Sequence, residues 1–111
     1  MIKDWSDFVR ENIRKCSEII FTKKEINFLE RRNKCTLQEM KEELRSLEHL
    51  AFAYKQISTY QGKNEERFRC YVVYSGTRGR CYVLRFNHQI KVITVFPLGR
   101  RTLRKYKKRF K

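Results

Sequence analysis

The chain has 111 residues, 41% of them hydrophobic and 14% aromatic, and carries 27 Lys and Arg against 12 Asp and Glu, a net charge of +15. That length suits one domain with a core that needs no disulfide staples, and the apolar content excludes a disordered basic tail. No apolar run approaches the ~18–20 residues of a membrane-spanning helix, and residues 1–20 lack the apolar stretch and cleavage site of a secretory leader, so the expectation is a cytoplasmic protein.

In chain order, helices come first. Asp4 can cap a helix in which Trp5, Phe8, Val9, Ile13 and Cys16 share one face at three- to four-residue spacing. Ile19-Ile20-Phe21 reads as a short strand or the lead-in to the next helix. Thr22 and Glu25 form a capping-box pattern ahead of a helix with Ile26 and Leu29 on one face, ending near Asn33. Thr36 and Glu39 repeat that pattern ahead of the stripe Leu37, Met40, Leu44 and Leu47, which reads as core. Residues 49–59 fit either a continued helix or a strand.

The break at Gln61-Gly62-Lys63-Asn64 opens a region of period two. Phe68, Cys70, Val72 and Tyr74 alternate with Arg69, Tyr71 and Val73. A hairpin loop at Ser75–Gly79 follows, with Ser75 expected opposite Arg80. In the next strand Arg80, Tyr82, Leu84 and Phe86 alternate with Cys81, Val83 and Arg85. A turn at Asn87-His88-Gln89 leads to residues 90–96, the most apolar strand and the expected sheet centre, which Pro97 ends. The last thirteen residues hold eight cations and no acid. Leu103, Tyr106 and Phe110 recur there at helical spacing, so a helix beginning near Thr102 is expected to dock them and turn its cations outward. The sum is one α+β domain: an added N-terminal helix (1–18), a core (19–98) in which the helices precede a three- to four-stranded antiparallel sheet, and a basic C-terminal segment (99–111).

Charge divides the chain in two. Residues 1–61 hold 12 basic and 10 acidic side chains, whereas residues 62–111 hold 15 and 2. A one-signed half attracts polyanions, nucleic acid first among them, since each neutralised phosphate releases counterions. An anionic membrane fits less well, because the basic half reads as strands. Cys16, Cys35, Cys70 and Cys81 include no C-x-x-C pair, and His49 and His88 do not sit at metal-ligand spacing, so neither a metal nor another cofactor is expected. In the expected hairpin register Cys70 and Cys81 are too far apart to bond, so free thiols are expected.

Several segments, in order, resemble the RelE/ParE-like toxin superfamily, most of all its BrnT branch. They are Phe21–Arg32 (F-T-K-K…E-R-R), Thr36–Leu44 (T-x-x-E-M-K-E-E-L), Arg80–Arg85 (R-C-Y-V-L-R), Ile90–Phe96 (I-K-V-I-T-V-F) and Arg100–Tyr106 (R-R-T-L-R-K-Y). The resemblance implies a metal-independent endoribonuclease, acting on RNA and often on mRNA at the ribosome, and neutralised by an antitoxin. The 2′-hydroxyl then attacks its own phosphate, which requires a base, a cation and an acid. The residues matching the family's positions are Arg80, Tyr82, Arg85 and Lys91 for catalysis. Arg69, Arg78, Arg100, Arg101, Arg104, Lys105, Tyr106 and Lys108 are the matching candidates for nucleic-acid binding, with Tyr82 and Tyr106 able to stack bases or transfer a proton.

The resemblance has gaps. Lys24 stands where relatives often carry His, Phe96-Pro97 where BrnT-like chains carry Arg, and the acid of the C-terminal stretch is missing near Thr102. No obvious general base remains. His88 lies in an expected turn and reads as an exposed side chain, and Lys24 or Lys91 would need a lowered pKa. The alternative is a catalytically inactive protein of the same fold that binds RNA or DNA. Either form is expected to attract an acidic, antitoxin-like protein segment and to be a monomer or homodimer, with Trp5 and Phe8 packed on the domain or lending a dimer contact.

Overall fold

The computed structural model describes residues 3–16, 18–21, 26–75 and 77–107. The expectations resting on Thr22, Lys24, Glu25, Lys108 and Phe110 lie outside the described residues. The elements run α1 (Ser6–Lys15), β1 (Ile19–Phe21), α2 (Ile26–Asn33), α3 (Leu37–Ser46), β2 (Leu50–Tyr60), β3 (Lys63–Val73), β4 (Gly79–Asn87), β5 (Gln89–Pro97) and α4 (Arg100–Lys107).

The architecture is α+β, but the sheet differs from the antiparallel one of three or four strands expected from sequence. It has five strands in the order β1-β5-β4-β3-β2 and is mixed. β2 to β5 form an antiparallel meander, and β1 adds parallel to the outer edge of β5, pairing Ile19 with Ile90 and Phe21 with Val92. The central strand is therefore β4, not the more apolar β5. A three-residue strand has little pattern of its own, and its place is set by burial of Ile19 and Phe21 in the core.

α3 forms as its sequence dictates. Thr36 Oγ1 accepts the Glu39 N–H at 3.2 Å while Glu39 accepts the Thr36 N–H at 3.1 Å, a complete capping box. Met40 and Leu44 face inward, and Leu47 ends the helix in the left-handed region at φ 46°. Thr36→Ala should lower stability by about 1 kcal/mol. An unchanged denaturant midpoint would show that the cap contributes nothing.

α1 packs into the core. Val9 and Ile13 are buried in the same cluster as Met40, Leu44 and Ile90. Asp4 secures its entry, accepting N–H groups from Ser6 at 3.0 Å and Ala53 at 3.1 Å. Arg45 of α3 donates to the carbonyls of Ile13 and Cys16 at the helix end. Trp5 packs edge-on to Phe68 at 5.9 Å, and Phe8 lies tilted against Phe68 at 5.2 Å and edge-on to Phe86 at 6.4 Å.

The β2–β3 hairpin turns through Gln61 and Gly62, both at positive φ (51° and 76°), the backbone a tight two-residue hairpin loop requires. In the β3–β4 hairpin the expected register is wrong by three residues. Val73 faces Gly79 and Cys70 faces Tyr82, because the N–H groups of Tyr74 and Ser75 both bond to the Arg78 carbonyl and close a longer loop. Cys70 and Cys81 consequently lie on opposite faces of the sheet, and all four cysteines are free.

The two faces of the sheet are covered unequally. One carries Phe68, Cys70, Val72, Tyr82, Leu84, Ile90, Val92 and Val95 and packs under α1, α2 and α3. The other meets α4 at one end, where Leu103 and Tyr106 close over Phe52, Tyr71 and Val73. Gly79 is needed there, since a Cβ would lie 2.6 Å from Leu103 and 2.7 Å from the Val72 carbonyl oxygen.

Candidate nucleic-acid interface

The strand registers place Arg69 opposite Tyr54, Arg67 opposite Gln56, and Arg85 opposite Lys91 on the face that α4 leaves largely open. Arg67, Arg69, Arg85 and Lys91 are all partly exposed. Arg69 Nε donates to Gln56 Oε1 at 2.9 Å, which fixes its guanidinium along β2. Arg85 directly opposite Lys91 is an unfavourable cross-strand pair unless an anion intervenes. Part of the compensation is internal. Glu65 accepts hydrogen bonds from Arg85 and from Arg67, the latter at 3.0 Å, and these guanidiniums hold its carboxyl below the usual carboxylate range. Among the described residues Arg85 Nε nevertheless finds no hydrogen-bond partner, although it is buried.

α4 extends this face. Its turn spacing buries Leu103 and Tyr106 and leaves Arg100, Arg101, Arg104 and Lys105 exposed, as the sequence led us to expect, although the helix begins two residues earlier. Tyr106 is an anchor and not a stacking platform. Its ring covers the cross-strand neighbours Phe52, at 5.7 Å, and Tyr71, at 5.2 Å, nearly parallel to both.

The sheet divides the four residues grouped for catalysis. Arg85 and Lys91 lie on the open face, whereas Arg80 and Tyr82 point the other way, toward α3. There Tyr82, fully buried, donates its hydroxyl to Glu43, and Arg80 Nε sits 3.3 Å from the same carboxylate oxygen. Arg80 also donates to the Cys35 sulfur and lies 6.0 Å from the Tyr74 ring, against which His49 packs at a tilt, 4.7 Å away. Glu43 and Arg80 are only 12% and 14% exposed, and both line a cleft of about 590 Å³ with Glu39, Tyr74 and Arg78.

Burial raises the Glu43 carboxyl above its ordinary range, more than Tyr82 and Arg80 pull it down. It raises the Tyr82 phenol as well, and the adjoining Glu43 charge adds to the shift. The thiols are pushed toward the neutral form, Cys35 by burial despite Arg80 beside it and Cys81 up to about 12, so neither has the thiolate character of a nucleophile.

Glu43 escaped the sequence reading although its signal was present. It sits three residues after Met40 and four before Leu47, inside the apolar stripe of α3, where a carboxylate must find a partner. Glu65 left no such signal, since its role depends on strand register. His88 is an exposed turn residue at φ 61° and faces neither group. Arg78 lies exposed on the β3–β4 loop.

Compared with protein-family models, with curated proteins and with solved structures, the chain matches none. The RelE/ParE-like expectation gains no support from them. No helix among the described residues is long and apolar enough to cross a membrane.

Proposed function

We propose that this protein binds RNA on the open face of its sheet, with α4 as the adjoining wall. The observation that carries the reading is the opposed pair Arg85–Lys91, flanked by Arg67 and Arg69, on the same side as the exposed cations of α4. Such a surface holds a flexible phosphate backbone electrostatically, and the half-exposed Tyr54 ring beside Arg69 offers a base a flat partner. An acidic protein segment of antitoxin type would compete for the same cations. The test is fluorescence anisotropy of labelled single-stranded RNA across a salt series. Binding that weakens steeply with salt, and whose slope flattens in Arg69→Gln/Lys91→Gln, supports the reading. Salt-independent binding, or none at 50 mM salt, refutes it.

Glu65 gives this surface a built-in competitor for phosphate. Glu65→Gln should tighten RNA binding by about fivefold at 0.1 M salt, the contribution of roughly one freed cation. Weaker binding by this variant would mean that Glu65 instead holds the arginines in the pose RNA needs.

A metal-independent endoribonuclease is the second reading, favoured by one observation. The Glu43 carboxyl, raised by burial, fills the general-base role that the sequence left vacant, beside Arg80. In this reading Glu43 takes the 2′-hydroxyl proton as the oxygen attacks phosphorus, Arg80 and Arg78 stabilise the crowded phosphate, and the 5′-oxygen leaves as its bond to phosphorus breaks, taking a proton from solvent water. RNA cut in the presence of EDTA by the native chain, and left intact by Glu43→Gln, is the expected pattern. Cleavage by both proteins would remove Glu43 from the chemistry. Growth arrest on expression, relieved by an acidic partner, would add the toxin role.

A further inference from the structure

A second basic site lies where the C-terminal end of α2 meets the β3–β4 loop and the end of β5. A hollow of about 400 Å³ is lined there by Arg32, Lys34, Arg78 and Arg80, with Tyr74 and Leu98, and no acid among the described residues contributes to its wall. It sits beside the Glu43 cleft, and the two share Tyr74, Arg78 and Arg80.

Among the described residues Arg32, Lys34 and Arg78 have no carboxylate partner, while Arg80 is shared with Glu43. All three are exposed, so none is held there by burial. Arg32 is instead fixed between aromatic rings, its guanidinium 5.7 Å from both the Phe28 and the Phe96 centroids. Lys34 is placed by a left-handed backbone at φ 52°, directly after α2. Cations gathered round one hollow repel each other, and a multiply charged anion relieves that cost. Glu39, Glu42 and Glu43 wall the adjoining cleft and confine an anion to the side of Arg32, Lys34 and Arg78.

We propose that this hollow binds a phosphate monoester carried by a nucleotide, with the phosphate on Arg32, Lys34 and Arg78 and the base against the partly exposed ring of Tyr74. A monoester carries close to two negative charges at neutral pH, against one for each phosphodiester inside a strand, so the site favours a phosphorylated end or a free nucleotide. The volume is in the range of small-ligand pockets. The site lies at the end of the sheet where Arg80 faces Pro97, away from Arg85 and Lys91, and the inference stands without the RNA-binding reading of the open face.

The experiment compares two RNAs of one sequence, 5′-phosphorylated and 5′-hydroxyl, by anisotropy, and titrates AMP by calorimetry. The native chain should prefer the phosphorylated RNA by on the order of tenfold, and Arg78→Ala combined with Lys34→Gln should abolish that preference. These are exposed positions, and an unchanged thermal transition certifies the fold. Preference for the phosphorylated RNA without AMP binding identifies a strand end as the source, and AMP binding lost in the same double variant identifies the free nucleotide. Equal affinity for both RNAs together with no AMP binding overturns the proposal, and so does a preference or AMP binding that survives the double variant. Arg69→Gln/Lys91→Gln, which weakens both RNAs equally if the open face binds RNA, separates failure of this site from failure of that face.

Discussion

Replacing Arg100, Arg101, Arg104 and Lys105 together by glutamine is expected to weaken single-stranded RNA binding by several hundredfold at 0.1 M salt. The four side chains are exposed on one helix, and none is needed to dock it, because docking belongs to Leu103 and Tyr106. Each phosphate neutralised on a single strand contributes about 0.7 to the salt slope, so four lost contacts flatten it by roughly 3 and remove about three decades of affinity relative to 1 M salt. Glutamine keeps a helix propensity close to that of arginine and lysine, so the helix itself should persist. Lys15→Gln, on α1 across the sheet, should leave binding unchanged. A loss of less than threefold in the quadruple variant would place the interface away from α4.

The largest effect on stability is expected from Arg80→Ala. It leaves Glu43 enclosed with Tyr82 and His49 but without the guanidinium, and a buried carboxylate stripped of its cation typically costs about 3–5 kcal/mol. The cost must depend on pH. The Glu43 carboxyl is already raised in the folded chain, chiefly by burial, so its protonated form is the one folding favours. Stability from this group is complete below the ordinary carboxylate pKa of 4.5 and is lost as pH rises through the higher folded value. Removing Arg80 raises that folded value further and deepens the loss. Chemical denaturation at pH 4 and pH 8 should therefore show a small deficit at the lower pH and most of the 3–5 kcal/mol at the higher. An equal deficit at both would mean that Arg80 acts by packing against Tyr74 and Cys35 and not by charge.

Local chemistry made the helices legible. The Thr36–Glu39 capping box and the stripe of Met40 and Leu44 are properties of neighbouring residues, and they form as read. The same holds for α4, whose Leu103 and Tyr106 spacing marks its buried side even in so basic a segment. Residues 49–59 were ambiguous because a stretch with no clean period can satisfy either helix or strand. The edge of β3 decided it, with β2 paired from Leu50 to Tyr60.

The candidate site was legible as charge and not as geometry. Alternation along β4 already set Arg80 and Tyr82 apart from Arg85. Period two says that two residues face opposite ways, yet it does not say which way leads under helices. That was decided by α1, α2 and α3 closing over Phe68, Tyr82 and Leu84, which turned Arg80 toward Glu43 and left Arg85 beside Lys91 and Glu65.

Composition and local pattern by themselves determined an α+β chain, a basic second half and a docked basic helix, since these follow from charge counts, caps and periodicity over a few residues. The parallel addition of β1, the three-residue shift of the β3–β4 hairpin, the Glu43–Arg80–Tyr82 cluster and the hollow ringed by Arg32, Lys34 and Arg78 were decided only by the tertiary structure. Each joins residues far apart in the chain, and their meeting is fixed by how buried surfaces fit together, a quantity that no local stretch of sequence carries.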